Sequence, residues 1–231
     1  GVPRVRCLPA PRVVIVSTGD ELVPAEQVPA LGQIRDANGP MLAALVRQAG
    51  ALPFQAGIVG DDRKALMYAF DSNLGHADLI VATGGVSAGV YDLVREVLET
   101  LGDVQSFKLA MKPGMPQVFG SIAGVPVFGL PGNPVSSFVS FEVFVRPAIR
   151  VLQGRRDTTR PTVTARFTEE VTTPPHKRTF LRVRLQRTPD GWQATPTGSQ
   201  GSHVITSVVR ADGLADIPAE VTTLAAGATA T

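Results

Sequence analysis

The sequence predicts an α/β protein: a three-layer α/β/α domain with a mostly parallel sheet, followed by a small all-β domain. Three observations carry this reading. Short β-branched runs alternate with helix-period runs as far as Leu152, as they do when parallel strands are covered by helices on both faces. Several of the strand runs end in a glycine-bearing loop. Beyond Gly154 the periodicity falls to two, as in half-exposed antiparallel strands. With 231 residues, 44% of them apolar, the chain can bury one full core and a smaller second one. The expected division is 1–154 and 155–231.

The elements follow in order. "RVVIVST" from Arg12 reads as a buried parallel strand, and "NGPMLAALVRQAG" as a helix with Asn38 as its cap, Pro40 in the first turn and Gly50 as its stop. "FQAGIVG" and "DLIVATGG" read as further strands, with the helix "DRKALMYAFDSNLG" between them and the helix "YDLVREVLETLG" after. Next come "VQSFKLAM", the turn-linked pair "QVFGSIAGVPVFGL", and an apolar helix from Val135 to Leu152. In the second part "TVTARFTEEVTT", "RTFLRVRLQRT" and "WQATPT" read as strands.

Composition narrows the class. Residues 1–154 carry 12 Lys/Arg against 13 Asp/Glu, and 155–231 carry 10 against 7, so neither part has the dense basic face of a nucleic-acid binder. A single cysteine, Cys7, excludes an internal disulfide framework and a cysteine-rich metal site, and a reducing, cytoplasmic setting is expected. No apolar run reaches the roughly 18 residues of a membrane span. Gly1 to Arg12 is too polar and proline-broken for a signal peptide. The chain opens almost at once on a strand, which suggests a piece of something longer.

In a parallel sheet the loops after the strands share one edge, where ligands bind. Three loops are expected there: "STGDEL", "ATGGVSAGVYD" and "GLPGNPVSS". In the last, Pro131 and Pro134 fix backbone angles, Gly132 permits close approach and Asn133 stands at an N-cap position. That builds a stiff helix start whose N–H groups suit an anion; taken alone it is equally a ligand-free connector. The middle loop has neither a Walker A nor a G-x-G-x-x-G pattern. Its "GVSAG" matches a nucleophile elbow, but the candidate bases His176 and His203 lie in the other domain, so Ser87 reads better as a phosphate-loop hydroxyl.

Of the chain's four lysines, Lys108 and Lys112 stand four apart in "FKLAMKPGMP", a spacing that puts both on one face of a strand or helix and suits an oxyanion. Taken singly, surface lysines are usually just solvated. Carboxylates at Asp20, Glu21, Asp61, Asp62 and Asp92 follow strands, where each could be a simple cap but where together they suit Mg²⁺ beside phosphate. These features describe a metal-assisted site for a phosphorylated ligand.

These stretches, with "GQIRDANGPML", "GIVGDD" and "GSQGSHVITSVVRADGLADIP", occur in an order that resembles the molybdopterin molybdenumtransferases, the MoeA family that includes the gephyrin E domain. The resemblance covers nearly the whole chain. It implies a molybdopterin-binding, MogA-like domain followed by a small β domain. It also implies insertion of molybdate into adenylylated molybdopterin, with Mg²⁺-dependent release of AMP. By the same resemblance Glu21, Asp61 and Asp92 are the acidic, metal-holding members, and Lys108 and Lys112 contact phosphate or molybdate. Thr83, Gly84, Gly85 and Ser87 line the pterin phosphate region, Pro131, Gly132, Asn133 and Pro134 shape the anion turn, and Ser199 and Ser202 belong to a loop that closes over the site. A homodimer, and an adenylyltransferase and molybdoenzyme acceptors as partners, are implied as well; membrane and nucleic acid are not.

The sequence departs from the family pattern at Met115, in place of a second Lys-Pro lysine, and at His203, where Ser-Gly-Met is usual. The family's two further N-terminal domains are not in this sequence, so impaired turnover is expected of this chain alone. Rival readings are a molybdopterin adenylyltransferase, a non-enzymatic gephyrin-like scaffold, and nucleic-acid binding through Arg178, Arg182, Arg184 and Arg187. The last is weakened because charged residues commonly blunt a solvated edge strand.

Overall fold

The computed structural model describes residues 1–84 and 93–231. Along the chain come β1 (Arg12–Thr18), the short pair β2 (Leu22–Val23) and β3 (Ile34–Arg35), α1 (Asn38–Gln48), β4 (Leu52–Val59), α2 (Arg63–Leu74), β5 (Leu79–Thr83) and α3 (Leu93–Leu101). Then follow β6 (Asp103–Lys108), β7 (Met111–Lys112), the hairpin β8 (Pro116–Ile122) and β9 (Val125–Leu130), and a long helix. That helix comprises α4 (Pro134–Ser140), a π-helical turn (Phe141–Val145) and α5 (Arg146–Leu152).

Six of these strands form a sheet ordered β4-β1-β5-β9-β8-β6, with β4, β1, β5 and β9 parallel and β8 antiparallel to both neighbours. Period-two alternation explains how β1 is buried on both sides. Val14 and Val16 pack with Leu66 and Phe70 of α2 and Val94, Val97 and Leu98 of α3. Val13 and Ile15 pack with Leu42 and Val46 of α1 and Phe141, Val145 and Ile149 of the long helix. Helices therefore cover both faces, the three-layer arrangement expected of the alternating pattern. Because β4 lies on one side of β1 and β5 on the other, the strand order reverses at β1, which opens a crevice at the C-terminal ends of these strands.

The second sheet is built from β10 (Ala165–Phe167), β12 (Arg178–Thr188), β13 (Gly191–Pro196), β14 (Gly213–Ile217) and β16 (Thr229–Ala230), in the order β14-β12-β13-β10-β16. A separate pair joins β11 (Val171–Thr172) to β15 (Thr223–Leu224), and one short helix, α6 (Thr206–Val209), precedes β14. Leu181 and Val183 of β12 pack with Phe167, Ala194, Ala215 and Ile217 in a core of its own. The opposite face of β12 presents Phe180, which joins Met111, Val135 and Val139 in an apolar cluster between the two parts of the chain.

Several expectations need correcting. Asn38 is not the cap of α1 but its first residue; Ala37 stands at the cap position, and the Asp36 carboxylate accepts from the Gly39 N–H at 2.9 Å. Strand β4 begins at Leu52, running through Pro53 as an edge strand can. The second sheet is not wholly antiparallel, since β10 runs parallel to β13. Asp62, by contrast, is a plain N-cap: its carboxylate accepts from the Ala65 N–H at 2.8 Å. Asp62→Ala is expected to cost about 1 kcal/mol of stability, read from the urea midpoint, without altering ligand binding.

Candidate functional site

The parallel strands deliver their loops to one edge, and the hairpin and β6 add to it. Lys108, the last residue of β6, pairs with Pro116, the first of β8, while Val118 of β8 pairs with Gly129 near the end of β9. Reading across the edge, Gly60 to Asp62 follow β4, Gly19 to Glu21 follow β1, Gly84 follows β5, Pro131 to Asn133 follow β9, and Lys108 to Met115 link β6 to β8. Carboxylates thus stand at one end and lysines at the other. Four strand intervals separate β1 from β6, about 19 Å at the ordinary interstrand spacing. One ion cannot touch both ends, so the edge suits an elongated ligand.

The middle of the edge is held by a buried polar knot. Asn38 Nδ2 donates to Thr83 Oγ1 at 2.8 Å and to the Gly132 carbonyl at 2.7 Å. Thr83 Oγ1 also lies 3.1 Å from Ser137 Oγ, and the Pro131 carbonyl accepts from the Ser137 hydroxyl. The loops after β5 and β9 are therefore pinned together by side chains from α1 and α4. Their approach is close: a Cβ added at Gly84 would stand 2.3 Å from the Thr18 carbonyl oxygen, and one added at Gly132 would stand 3.5 Å from Gly84 Cα. Gly84 has φ +101, a conformation that L side chains rarely adopt.

At the acidic end, Asp20 Oδ1 accepts the Asp61 N–H at 2.8 Å, so its role is to tie the loop after β1 to the loop after β4. Glu21 and Asp61 are exposed. Among the described residues no three His, Cys, Asp or Glu side chains converge on a point. Two exposed hard-oxygen donors on adjacent strand ends nevertheless fit Mg²⁺, which keeps several waters and takes the rest of its shell from phosphate oxygens. Gly85, Ser87 and Asp92 lie outside the described residues.

At the basic end the single-element spacing of the two lysines does not hold. Lys108 ends β6 in the first sheet; the chain then turns, and Lys112 lies in β7, which pairs with Arg178 and Thr179 of β12 in the second sheet. Lys112 lines a cleft of about 220 Å³ together with Pro113, Arg182, Gly198 and Gln200. A larger, mostly apolar cleft of about 800 Å³ lies between the long helix and the second sheet, away from the strand-end loops.

Arg182 is the residue that sequence reasoning misplaced. Strand β12 is central, between β14 and β13, and Arg182 is 1% exposed, not solvated on an edge. Its guanidinium donates to Ser207 Oγ at 3.1 Å and to the carbonyls of Gly201 and Phe180 at 3.3 and 3.5 Å. All three are neutral acceptors, and burial holds its pKa below the ordinary arginine value. Its guanidinium is thus committed to protein acceptors, while the residue lines the cleft together with Lys112 and Glu169. The other arginines of that strand are engaged differently: Arg178 pairs with Asp216, Arg184 donates to the Arg210 carbonyl at 3.4 Å, and Arg187 stacks over Trp192.

The Ser199 to Ser202 loop is docked on both parts of the chain. Gln200 exchanges hydrogen bonds with the backbone of Arg182, at 2.9 and 3.1 Å. The Ser202 carbonyl accepts the Val135 N–H at 3.0 Å. This revises the anion-turn reading. Asn133 does hold the cap position and Pro134 the first helical one, but the Val135 amide is occupied by protein. Asn133 makes no side-chain cap bond.

Fold and edge together describe an α/β protein whose strand-end loops share one edge, with carboxylates after β1 and β4 and Lys108 at the end of β6. Residues 14–151 match the family model described as a probable molybdopterin binding domain, and residues 164–231 match the MoeA C-terminal region, domain IV. The chain belongs to the MoeA family. It is 41% identical over 233 residues to molybdopterin molybdenumtransferase 2 of Mycobacterium tuberculosis, covering 98% of this chain and 57% of that protein. It is 32% identical to the molybdopterin molybdenumtransferase of Haemophilus influenzae, covering 100% of this chain and 58% of the relative. The molybdopterin biosynthesis MoeA protein from Pyrococcus horikosii superposes with TM-score 0.83 at 34% identity, over 96% of this chain and 53% of that one. The chain thus spans little more than half the length of these relatives. Among its described residues no helix is long and apolar enough to cross a membrane.

Proposed function

We propose that this chain binds adenylylated molybdopterin along the strand-end edge, and that the protein to which it belongs inserts molybdate there with release of AMP. The observation that carries the reading is the polarity of the edge. Glu21 and Asp61 follow β1 and β4, at least four strand intervals, about 19 Å, from β6, which Lys108 ends, with the Gly84 and Pro131–Asn133 loops pinned between them; Lys112 lies in β7 of the second sheet. An elongated ligand with a phosphate link and an oxyanion acceptor fits such a surface; a compact one does not.

In this reading Lys108, Lys112 and Arg182 attract the molybdate and the charged end of the pterin. Compact or forked cations in a partly desolvated cleft bind oxyanions more strongly than the same groups in water. Glu21 and Asp61, with Asp92 by resemblance, would hold Mg²⁺, whose chemistry is to neutralise phosphate oxygens while the pyrophosphate link breaks. Thr83, Gly84, Gly132 and Asn133, with Gly85 and Ser87, form the central floor, and Pro131 and Pro134 fix its shape. Ser199 and Ser202 belong to the loop that joins the domains beside the cleft. The division at Gly154, a homodimeric whole protein, cytoplasmic location, and exchange with an adenylyltransferase and molybdoenzyme acceptors belong to the same proposal. The attached MoeA C-terminal region separates the chain from the adenylyltransferase alternative.

Molybdopterin binding, followed by pterin fluorescence, tests this. The unmodified chain is expected to bind, and a Lys108→Ala, Lys112→Ala double variant to bind at least about tenfold more weakly at unchanged melting temperature. A folded chain that ignores molybdopterin, or a double variant that binds equally well, overturns the assignment.

A further inference from the structure

Far along the long helix from the strand-end edge, the π-helical turn hands over to α5 at Arg146. Arg146 is 7% exposed, and its Nε and Nη1 are buried without a hydrogen-bond partner among the described residues. Its nearest carboxylate is Glu142, one helical turn earlier, with Oε2 3.8 Å from Nε, beyond hydrogen-bond reach. Glu142 is already committed. Arg160, from the segment that leaves the helix, grips both its oxygens at 2.9 and 2.8 Å and also donates to Gln48 Oε1 at 2.6 Å.

A turn further on, Arg150 is paired with Asp157, which Arg155 also approaches at 3.9 Å. Four arginines here face two carboxylates, a surplus of two positive charges. Of these four, Arg146 is the one that is buried with two nitrogens lacking a hydrogen-bond partner among the described residues. Leaving buried charged donors unpaired costs more than a neutral hydrogen bond returns, so the arrangement is incomplete as protein alone. Arg146 also carries a lowered pKa, through burial and the charges of Arg160 and Arg150.

We propose that the Arg146, Arg150 and Arg160 cluster is a binding site for a small tetrahedral oxyanion of the phosphate class, separate from the strand-end site. Arg146 supplies the unsatisfied donors. Arg150 and Arg160, each anchored by its own carboxylate, hold the surrounding positive field in place. Because Arg146 is only 7% exposed and its unbonded nitrogens are covered, an anion reaches them only where neighbouring side chains give way, which a small oxyanion demands least. The site rests on none of the residues assigned to the pterin edge.

The probe is inorganic phosphate, titrated at constant ionic strength with chloride as the balancing ion. The chain carries Lys108→Ala and Lys112→Ala so that the strand-end edge does not report. The expected result is a saturable rise in melting temperature with phosphate, because a ligand that binds only the folded state stabilises it. Arg146→Gln is expected to abolish that rise while melting no lower than its parent in phosphate-free buffer, since it removes an uncompensated charge and leaves Glu142 paired with Arg160. Arg146→Lys, which keeps the charge but loses the planar fork, should weaken phosphate at least about tenfold. Should Arg146→Gln fail to fold, line broadening of the phosphate ³¹P signal, compared between the parent and Arg146→Lys, reads the same affinity difference. No stabilisation beyond the chloride control, or equal stabilisation in the Arg146 variants, overturns the proposal.

Discussion

Gly84→Ala is expected to lower stability by about 3 kcal/mol or more and to abolish molybdopterin binding. Two costs add. The backbone at φ +101 is strained for any residue with a Cβ, and that Cβ would stand 2.3 Å from the Thr18 carbonyl oxygen, a backbone atom that cannot swing aside. Relief requires β1 and β5 to part at their ends, which would pull Thr83 away from Asn38 and Ser137. Gly132→Ala is the control. Its added methyl meets only Gly84 Cα at 3.5 Å, an ordinary contact, so a loss below about 1 kcal/mol is expected. Urea unfolding of the two variants side by side measures this. Equal midpoints would mean that the loop approach at Gly84 is not what holds the centre of the edge together.

Arg182→Met is expected to separate stability from binding. Methionine fills much of the aliphatic volume and removes a buried charge that has no carboxylate partner among the described residues, so unfolding should shift by no more than about 2 kcal/mol. Molybdate affinity, measured by calorimetry, should fall at least about tenfold, because the cleft that Arg182 lines beside Lys112 loses the positive charge buried behind it. A variant that binds molybdate normally would exclude Arg182 from the oxyanion site and leave it a structural tie between β12 and the Ser199–Ser202 loop.

Most of the architecture was legible because it depends on local pattern. Val13–Val16 and Leu79–Ala82 are unbroken apolar runs, which suit a sheet covered on both faces. Positions near Asn133 and Pro134 were legible because cap chemistry is set by a few neighbouring backbone angles. What failed depended on contacts far apart in sequence. Asn38 reads as a cap, yet its partners are Thr83 and Gly132, 45 and 94 residues away. Arg182 sits in an alternating basic strand and reads as solvated; what holds its guanidinium is Ser207 of α6 and the Gly201 carbonyl, 25 and 19 residues away, and neither is marked by periodicity. Lys108 and Lys112 show the same limit. Their spacing assumes one continuous element, and a turn at Leu109 and Ala110 sends them to different sheets.

Because Lys112 is hydrogen-bonded into the second sheet through β7, while Lys108 stays in the first, the two halves of the chain are not interchangeable modules. An α/β domain cut free of its C-terminal partner would keep its carboxylates and glycine loops but lose the strand that aims one of its lysines. Transplanting the C-terminal domain of a distant relative onto this α/β domain would meet the same obstacle, since a foreign sheet must accept Met111 and Lys112 in register before the ligand edge is complete. Recombination between family members with the crossover at Gly154 should therefore fail unless the incoming sheet accepts β7, even though the linker there looks like the natural place to cut.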